Sequence, residues 1–87
     1  KLKDLNLSDN AFITDASARI LAALPNLTAL NLCYCRDIAN EAVRALSESA
    51  TLQQLNLDRC RVSNVTPLAK LRTLKSLSVA HTTIRDD

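Results

Sequence analysis

Leucine recurs in one fixed spacing along the chain, and that spacing limits the fold more than any other feature. Leu-x-x-Leu-x-Leu is written by Leu2, Leu5 and Leu7, by Leu27, Leu30 and Leu32, and by Leu52, Leu55 and Leu57. Leu74, Leu77 and Val79 write it a fourth time, so the blocks start 25, 25 and 22 residues apart. Three residues past each block stand Asn10, Cys35, Cys60 and Thr82. The period-two core of each block, as in Leu5-Asn6-Leu7, suits a short strand with leucine on one face. One such unit cannot bury that face alone. Stacked units can, because neighbouring leucines then merge into a continuous core. The residue closing each block must satisfy backbone groups freed by the turn. Asn, Cys and Thr are small enough for a narrow buried site and can hydrogen-bond there.

What the chain lacks excludes several classes. It holds 87 residues and no glycine. Glycine-rich phosphate loops and dinucleotide folds need backbone where only glycine fits, so both are disfavoured. The net charge is +2, with acids and bases mixed along the chain, too little for a nucleic-acid or membrane footprint. No apolar run approaches the ~18 residues of a membrane span. Neither a signal-peptide pattern nor an initiating methionine is present, so a processed chain or a fragment is expected. Cys33, Cys35 and Cys60 make an odd set without a disulfide framework, which points to reduced thiols and a cytoplasmic or nuclear setting. Asn6-Leu7-Ser8, Asn26-Leu27-Thr28 and Asn64-Val65-Thr66 fit the glycosylation pattern, but repeats that write Asn-Leu-x produce such matches by accident.

The four blocks in register resemble the leucine-rich-repeat family, whose pattern is L-x-x-L-x-L-x-x-N/C with a period of 20–29 residues. The resemblance covers essentially the whole chain. It implies an α/β solenoid, a right-handed superhelix with parallel strands on its concave face and short helices or 3₁₀ turns on its convex face. Ile13-Thr14-Asp15 and the cysteine at the turn make the first two repeats similar to the cysteine-containing subclass, familiar from substrate receptors of ubiquitin ligases. Val65-Thr66-Pro67-Leu68-Ala69 makes the third similar to the short 22-residue internalin-type repeats. Residues 1–87 are therefore read as one leucine-rich-repeat segment, with four partial or complete repeats starting near 2, 27, 52 and 74. No room is left for an N-terminal cap before Lys1, and Asp87 falls inside the return half of the fourth unit. A longer array is expected on that ground.

The segments between strands differ. Ala16–Ala23 suits a helix, with Thr14 or Asp15 to cap it, Pro25 to stop it, and Ala18, Leu21 and Ala22 facing inward. Asn40 is placed to cap a second helix over Glu41–Ser49, with Val43 and Leu46 inward. Val62, Val65, Leu68, Leu71 and Leu74 recur every three residues, which suits a 3₁₀ turn capped by Thr66 with Pro67 at its first position. Ile84 follows Thr82 as Val62 follows Cys60, so the fourth unit starts in the short style.

Leucines are silent about function, which must lie between them. The outward residues form ladders: Asp4, Ala29, Gln54, Ser76; Asn6, Asn31, Asn56, Ser78; and Ser8, Cys33, Asp58, Ala80. Beside them run Asp9, Tyr34, Arg59 and His81. Tyr34 and Arg59 are neighbours in this register, and both types are favoured at interface hot spots. The candidate contact residues are Asp9, Tyr34, Arg59, His81, Asn31, Asn56, Asp58 and Gln54. The bland readings are that Arg59 merely stacks on Tyr34 and that the asparagines bond sideways to their neighbours as a stabilising ladder. Arg19, Arg44, Lys70 and Arg72 form a basic stripe on the helix side, diluted by Asp15, Glu41 and Glu48. Cys33, Cys35, Cys60 and His81 are zinc-type ligands, but their spacing matches no zinc motif. No nucleophile stands with a base and an orienting acid, so no enzyme is expected, nor any cofactor or metal. The expected role is a protein or peptide interaction module or scaffold working through the concave sheet, without a small-molecule substrate. The alternatives are a structural subunit of a multi-subunit assembly and a substrate-recognition arm of a ubiquitin-ligase-like complex.

Overall fold

A computed structural model of the chain describes residues 3–80 and Thr82. Leu2 at the head of the first block, His81 of the turn row, and Ile84 lie outside the described residues. Strand and helix alternate: β1 (Asp4–Asn6), α1 (Asp15–Ala22), β2 (Ala29–Asn31), α2 (Asn40–Leu46), β3 (Gln54–Asn56), a 3₁₀ turn (Thr66–Lys70) and β4 (Ser76–Ser78). The four strands form one parallel sheet in chain order. Its register pairs Asp4, Ala29, Gln54 and Ser76, then Leu5, Leu30, Leu55 and Leu77, then Asn6, Asn31, Asn56 and Ser78. The repeat spacing dictates that register, because any slip by one residue would turn the leucines out to water.

Backbone bonds repeat from unit to unit. The Lys3 carbonyl accepts the amides of Thr28 and Ala29, the Thr28 carbonyl those of Gln53 and Gln54, and the Gln53 carbonyl those of Lys75 and Ser76, all at 2.7–3.1 Å. Threonine hydroxyls add a second set: Thr51 Oγ1 donates to the Leu27 carbonyl at 2.6 Å and Thr73 Oγ1 to that of Leu52 at 2.7 Å.

The core lies between the sheet and the helix layer. Leu27, Leu30, Leu32, Leu52, Leu55 and Leu57 are all buried there with Ile38, Val43, Leu46 and Val62. Full burial of one such side chain contributes about 1.5–3 kcal/mol. Leu5, Leu7, Leu77 and Val79, which have a described neighbouring unit on one side alone, are only partly buried. Ala18 and Leu21 of α1, and Ala42, Val43 and Leu46 of α2, face this core. Alanine at 18 and 42 lets each helix lie close to the leucine layer.

The helix ends depart from expectation in an instructive way. Thr14 does stand at the N-cap of α1, and its backbone N–H donates to Ser17 Oγ at 3.3 Å. Asp15, the first helical residue, instead accepts the Ala39 amide of the next unit at 3.1 Å. Asn40, expected as a cap, is likewise the first residue of α2, and Ala39 holds the cap position. Its Oδ1 accepts the amides of Ser63 and Asn64 at 3.0 and 3.2 Å, and its Nδ2 donates to Ser63 Oγ at 2.9 Å. Asp15 and Asn40 are 25 residues apart, so the same repeat position ties each helix to the next unit. α2 stops at Leu46, and single turns carry the chain to Ser49 through Glu48 N–H to Ala45 and Ser49 N–H to Leu46. In the third unit Thr66 is already inside the 3₁₀ turn, and Asn64 Oδ1 accepts its amide at 2.9 Å. Polar atoms and not apolar spacing decide these ends, which is why they shift by a residue from the expected positions.

Removing the Asn40 carboxamide strands two amides of the third unit. Asn40→Ala is expected to lower unfolding free energy by roughly 1–3 kcal/mol and to speed amide exchange at Ser63 and Asn64. Unchanged exchange at those two amides would refute the inter-unit role.

Candidate functional site

The solvent face of the sheet carries Asp4 and Asn6 of β1, Ala29 and Asn31 of β2, Gln54 and Asn56 of β3, and Ser76 and Ser78 of β4. A shallow depression of about 260 Å³ runs across it, lined by Ala29, Asn31, Gln54, Asn56, Ser76 and Ser78 together with Leu30 and Leu55. Gln54 is exposed, while Asn31, Asn56 and Asp58 are half-buried. The asparagines do not spend their oxygens sideways. Asn6 Oδ1 accepts the amide of Ser8, Asn31 Oδ1 that of Cys33 and Asn56 Oδ1 that of Asp58, each at 2.9 Å. Each side chain thus closes a turn on its own chain two residues on, which Asn does well. Their Nδ2 groups have no acceptor among the described residues, so donors remain available toward the depression.

Ser78 takes the place of asparagine in the fourth unit and is too short for that bond. Asp58 of the unit before compensates: its Oδ1 accepts the Ala80 amide at 2.7 Å and the Ser78 hydroxyl at 2.6 Å. Asp58, a candidate contact from sequence, therefore has a structural task. Nothing in the sequence pattern signalled it except the break in the asparagine ladder itself.

Asp9, Tyr34 and Arg59 follow the strands at equivalent places. All three have left-handed backbone, with φ of 55, 60 and 61°. The absence of glycine does not spare the chain this conformation. It turns each amide toward the next unit: Asp9 N–H donates to Cys33, Tyr34 N–H to Asp58 and Arg59 N–H to Ala80, at 2.7–2.9 Å. In this conformation any Cβ crowds the carbonyl, at a cost of about 1–2 kcal/mol; a short polar side chain such as aspartate tolerates it best, and Tyr and Arg have no such compensation. All three side chains are exposed. His81, the fourth member of the row, lies outside the described residues.

The cation on Tyr34 is not Arg59. Arg36 lies over the ring, its guanidinium carbon 5.0 Å from the centroid, and Arg36 Nη2 donates to the Tyr34 hydroxyl at 2.8 Å. That hydroxyl holds the Arg36 guanidinium above its ordinary pKa. Sequence reading missed Arg36 because it counted neighbours across units, and this neighbour is two residues along the same turn.

All three cysteines are free thiols. Cys35 and Cys60 are buried, and each donates to a carbonyl of the unit before: Cys35 Sγ to Leu7 at 3.1 Å, Cys60 Sγ to Leu32 at 3.0 Å. Burial pushes both thiols up, Cys60 to about 11 from an ordinary 9.0. Cys33 is half-buried on the sheet side. Among the described residues, no three His, Cys, Asp or Glu side chains converge where a metal ion could sit. No described helix is long and apolar enough to cross a membrane.

A parallel sheet built one strand per unit, with a helix or tight turn returning each unit, defines a repeat solenoid. A family model described as leucine-rich repeat matches residues 1–22 and 23–47 as two consecutive repeats, and the chain belongs to the leucine-rich-repeat family. No curated protein and no solved structure matches the chain. Leucine-rich repeats generally mediate protein–protein interaction and are typically non-enzymatic.

Two outcomes test the site's internal bonds. Asp58→Ala is expected to cost roughly 1–3 kcal/mol and to deprotect the Ala80 amide against exchange. Adding Ser78→Asn should restore that protection, since asparagine would serve Ala80 as Asn56 serves Asp58. A double variant no better protected than Asp58→Ala would overturn the compensation. For Cys60, the unfolded chain gives up the thiol proton first as pH rises, so its contribution is intact below about pH 9 and is lost as pH climbs through about 11. The stability gap between the wild type and Cys60→Ala, from denaturant midpoints, should narrow over that window. A constant gap would contradict the assignment.

Proposed function

We propose that this segment is a protein-binding module whose contact surface is the sheet face together with the turns that leave its strands. What supports the reading is the backbone at Tyr34 and Arg59. Both stand at φ near 60° with exposed side chains. Glycine would hold the same turn without strain, so large side chains kept there suggest that the side chains themselves are used. Asp9 shares the row, and Gln54, Asn31 and Asn56 offer polar groups on the adjoining depression. Tyr and Arg anchor, while amides tune orientation, which is the usual division of labour at a protein interface. Asp58 supports the surface and is not counted as a contact. For the compartment we propose the cytoplasm or nucleus, because Cys35 and Cys60 act as thiol donors, a role that only reduced sulfur fills.

A second reading, packing of the helix side inside a larger assembly, draws on a groove between α1 and α2. It has a volume of about 450 Å³, a floor of Ala22, Ala23 and Ala45, and charged walls that include Arg19 and Arg44. Ile20 of α1 is also 69% exposed.

The two readings separate by mutation. Affinity purification with the wild-type chain, followed by calorimetry with the purified partner, gives the reference affinity. Tyr34→Ala and Arg59→Glu should each weaken it roughly tenfold or more, with far-ultraviolet dichroism unchanged. Arg19→Glu with Arg44→Glu should leave it within about twofold. The reverse pattern would move the interface to the helix side.

A further inference from the structure

We propose that the partner segment seated on the strand-exit turns is acidic, its carboxylates taken by Arg36, Arg59 and Arg61 beside the Tyr34 ring. This rests on the contact surface proposed above and adds the chemistry of what it holds. Cys35 and Cys60 are equivalent positions, so Tyr34 matches Arg59 and Arg36 matches Arg61 in adjacent units. The four lie in the strand-exit turns of adjacent units, Tyr34 and Arg59 at the same left-handed position of each. Three bonds fix this block of turns: Tyr34 N–H to Asp58 at 2.7 Å, Arg59 N–H to Ala80 at 2.9 Å and Arg61 N–H to Ile38 at 2.9 Å. Arg36 is further held by the ring and hydroxyl of Tyr34. Ordering cost on binding is therefore reduced, and a guanidinium that stacks keeps further N–H groups for a carboxylate.

The charge pattern supplies the partner's sign. All three arginines are exposed, and none has a carboxylate within ion-pair distance among the described residues. On the helix side Arg44 sits 3.6 Å from Glu41 and Lys70 sits 3.7 Å from Glu48, while Arg19 and Arg72, also exposed, stand singly in different units and not as a cluster. The basic block is also local. In the first unit the two matching positions are Asp9 and Ala11, so the row runs from acid to base and would orient a bound acidic segment. A short peptide suits this better than a nucleic-acid strand. A strand carries a phosphate at every step and needs a long cationic track, whereas here Asp9 and Asp37 flank the block and the net charge is only +2.

The test uses the ¹⁵N-labelled 87-residue chain. It is titrated with an acetylated nonapeptide of alternating glutamate and serine, with the same peptide carrying glutamine for glutamate, and with hexauridylate. The glutamate peptide should shift the amides of Tyr34, Arg36, Arg59 and Arg61 and the arginine Nε signals of that block. It should bind roughly tenfold tighter than the glutamine peptide and weaken as salt rises. Arg36→Glu with Arg61→Glu should abolish that preference, and the lysine versions should keep part of it; retained spectral dispersion shows that the variants fold. Equal binding of the two peptides, shifts centred on Arg19 and Arg44, or a preference for hexauridylate would each overturn the proposal. Failure of this inference alone looks different from failure of the contact surface. A purified protein partner that still depends on Tyr34 while the two peptides bind equally overturns the acidic chemistry only. A partner indifferent to Tyr34→Ala and Arg59→Glu overturns the surface and this inference with it.

Discussion

Every feature of this chain hangs on the bonds by which one unit accepts the amides of the next. A three-residue strand is far too short to be stable alone, and an isolated pair of such strands is marginal at best. Here each strand sits inside a longer run of unit-to-unit bonds. Carbonyls of Lys3, Thr28 and Gln53 each take two amides before the strand, and Asp9, Tyr34 and Arg59 each give one after it. Thiols of Cys35 and Cys60 then fill a carbonyl one unit back. A thiol is a weak donor, but it is small, and burial costs it little. Threonine at 82 fills the closing position differently: its hydroxyl donates within its own unit, to the Val79 carbonyl at 2.8 Å.

Stacking demands that units of different length present the same height to one another. The third repeat is three residues shorter than the first two, yet it packs on α2 without breaking the sheet. Helix geometry explains how. Eight and seven α-helical residues rise about 12 and 10.5 Å, whereas five residues in a 3₁₀ turn rise about 10 Å. The tighter helix covers nearly the same distance with fewer residues. Leu68 and Leu71 stay buried as a result, and Pro67 fixes φ at the turn's second residue.

The strands, their register and the buried leucines were legible because one period-two pattern repeats in phase. The three-residue spacing from Val62 to Leu74 likewise foretold the 3₁₀ turn. What stayed hidden was the second partner of each polar side chain. Asn40 reads as a cap in isolation, and only the stacked neighbour reveals Ser63 and Asn64 as its true targets. The asparagine ladder reads as lateral, since its members are in register, but each oxygen finds a closer amide on its own chain. Asp58 was legible as an exposed acid and not as the substitute for a missing asparagine at 78. Arg36 escaped for the opposite reason: its partner Tyr34 is local, and the left-handed backbone that shapes this turn leaves no trace in the residue type.

The left-handed turn also sets how freely its residue type can change. In most folds a left-handed residue is glycine or asparagine, and the position is closed to variation. In this chain the amide at that position donates to the next unit, and such a bond contributes about 0.5–1.5 kcal/mol. The crowding of a Cβ there costs a comparable amount. Glycine would make the same bond without that cost, yet aspartate, tyrosine and arginine stand in turn at 9, 34 and 59. The amide holds the backbone of this position whatever side chain it carries, and the side chains at 9, 34 and 59 are exposed, so the residue type can change without disturbing the stack. The leucines and thiols hold the unit, and the side chain of the turn residue is left out of that work.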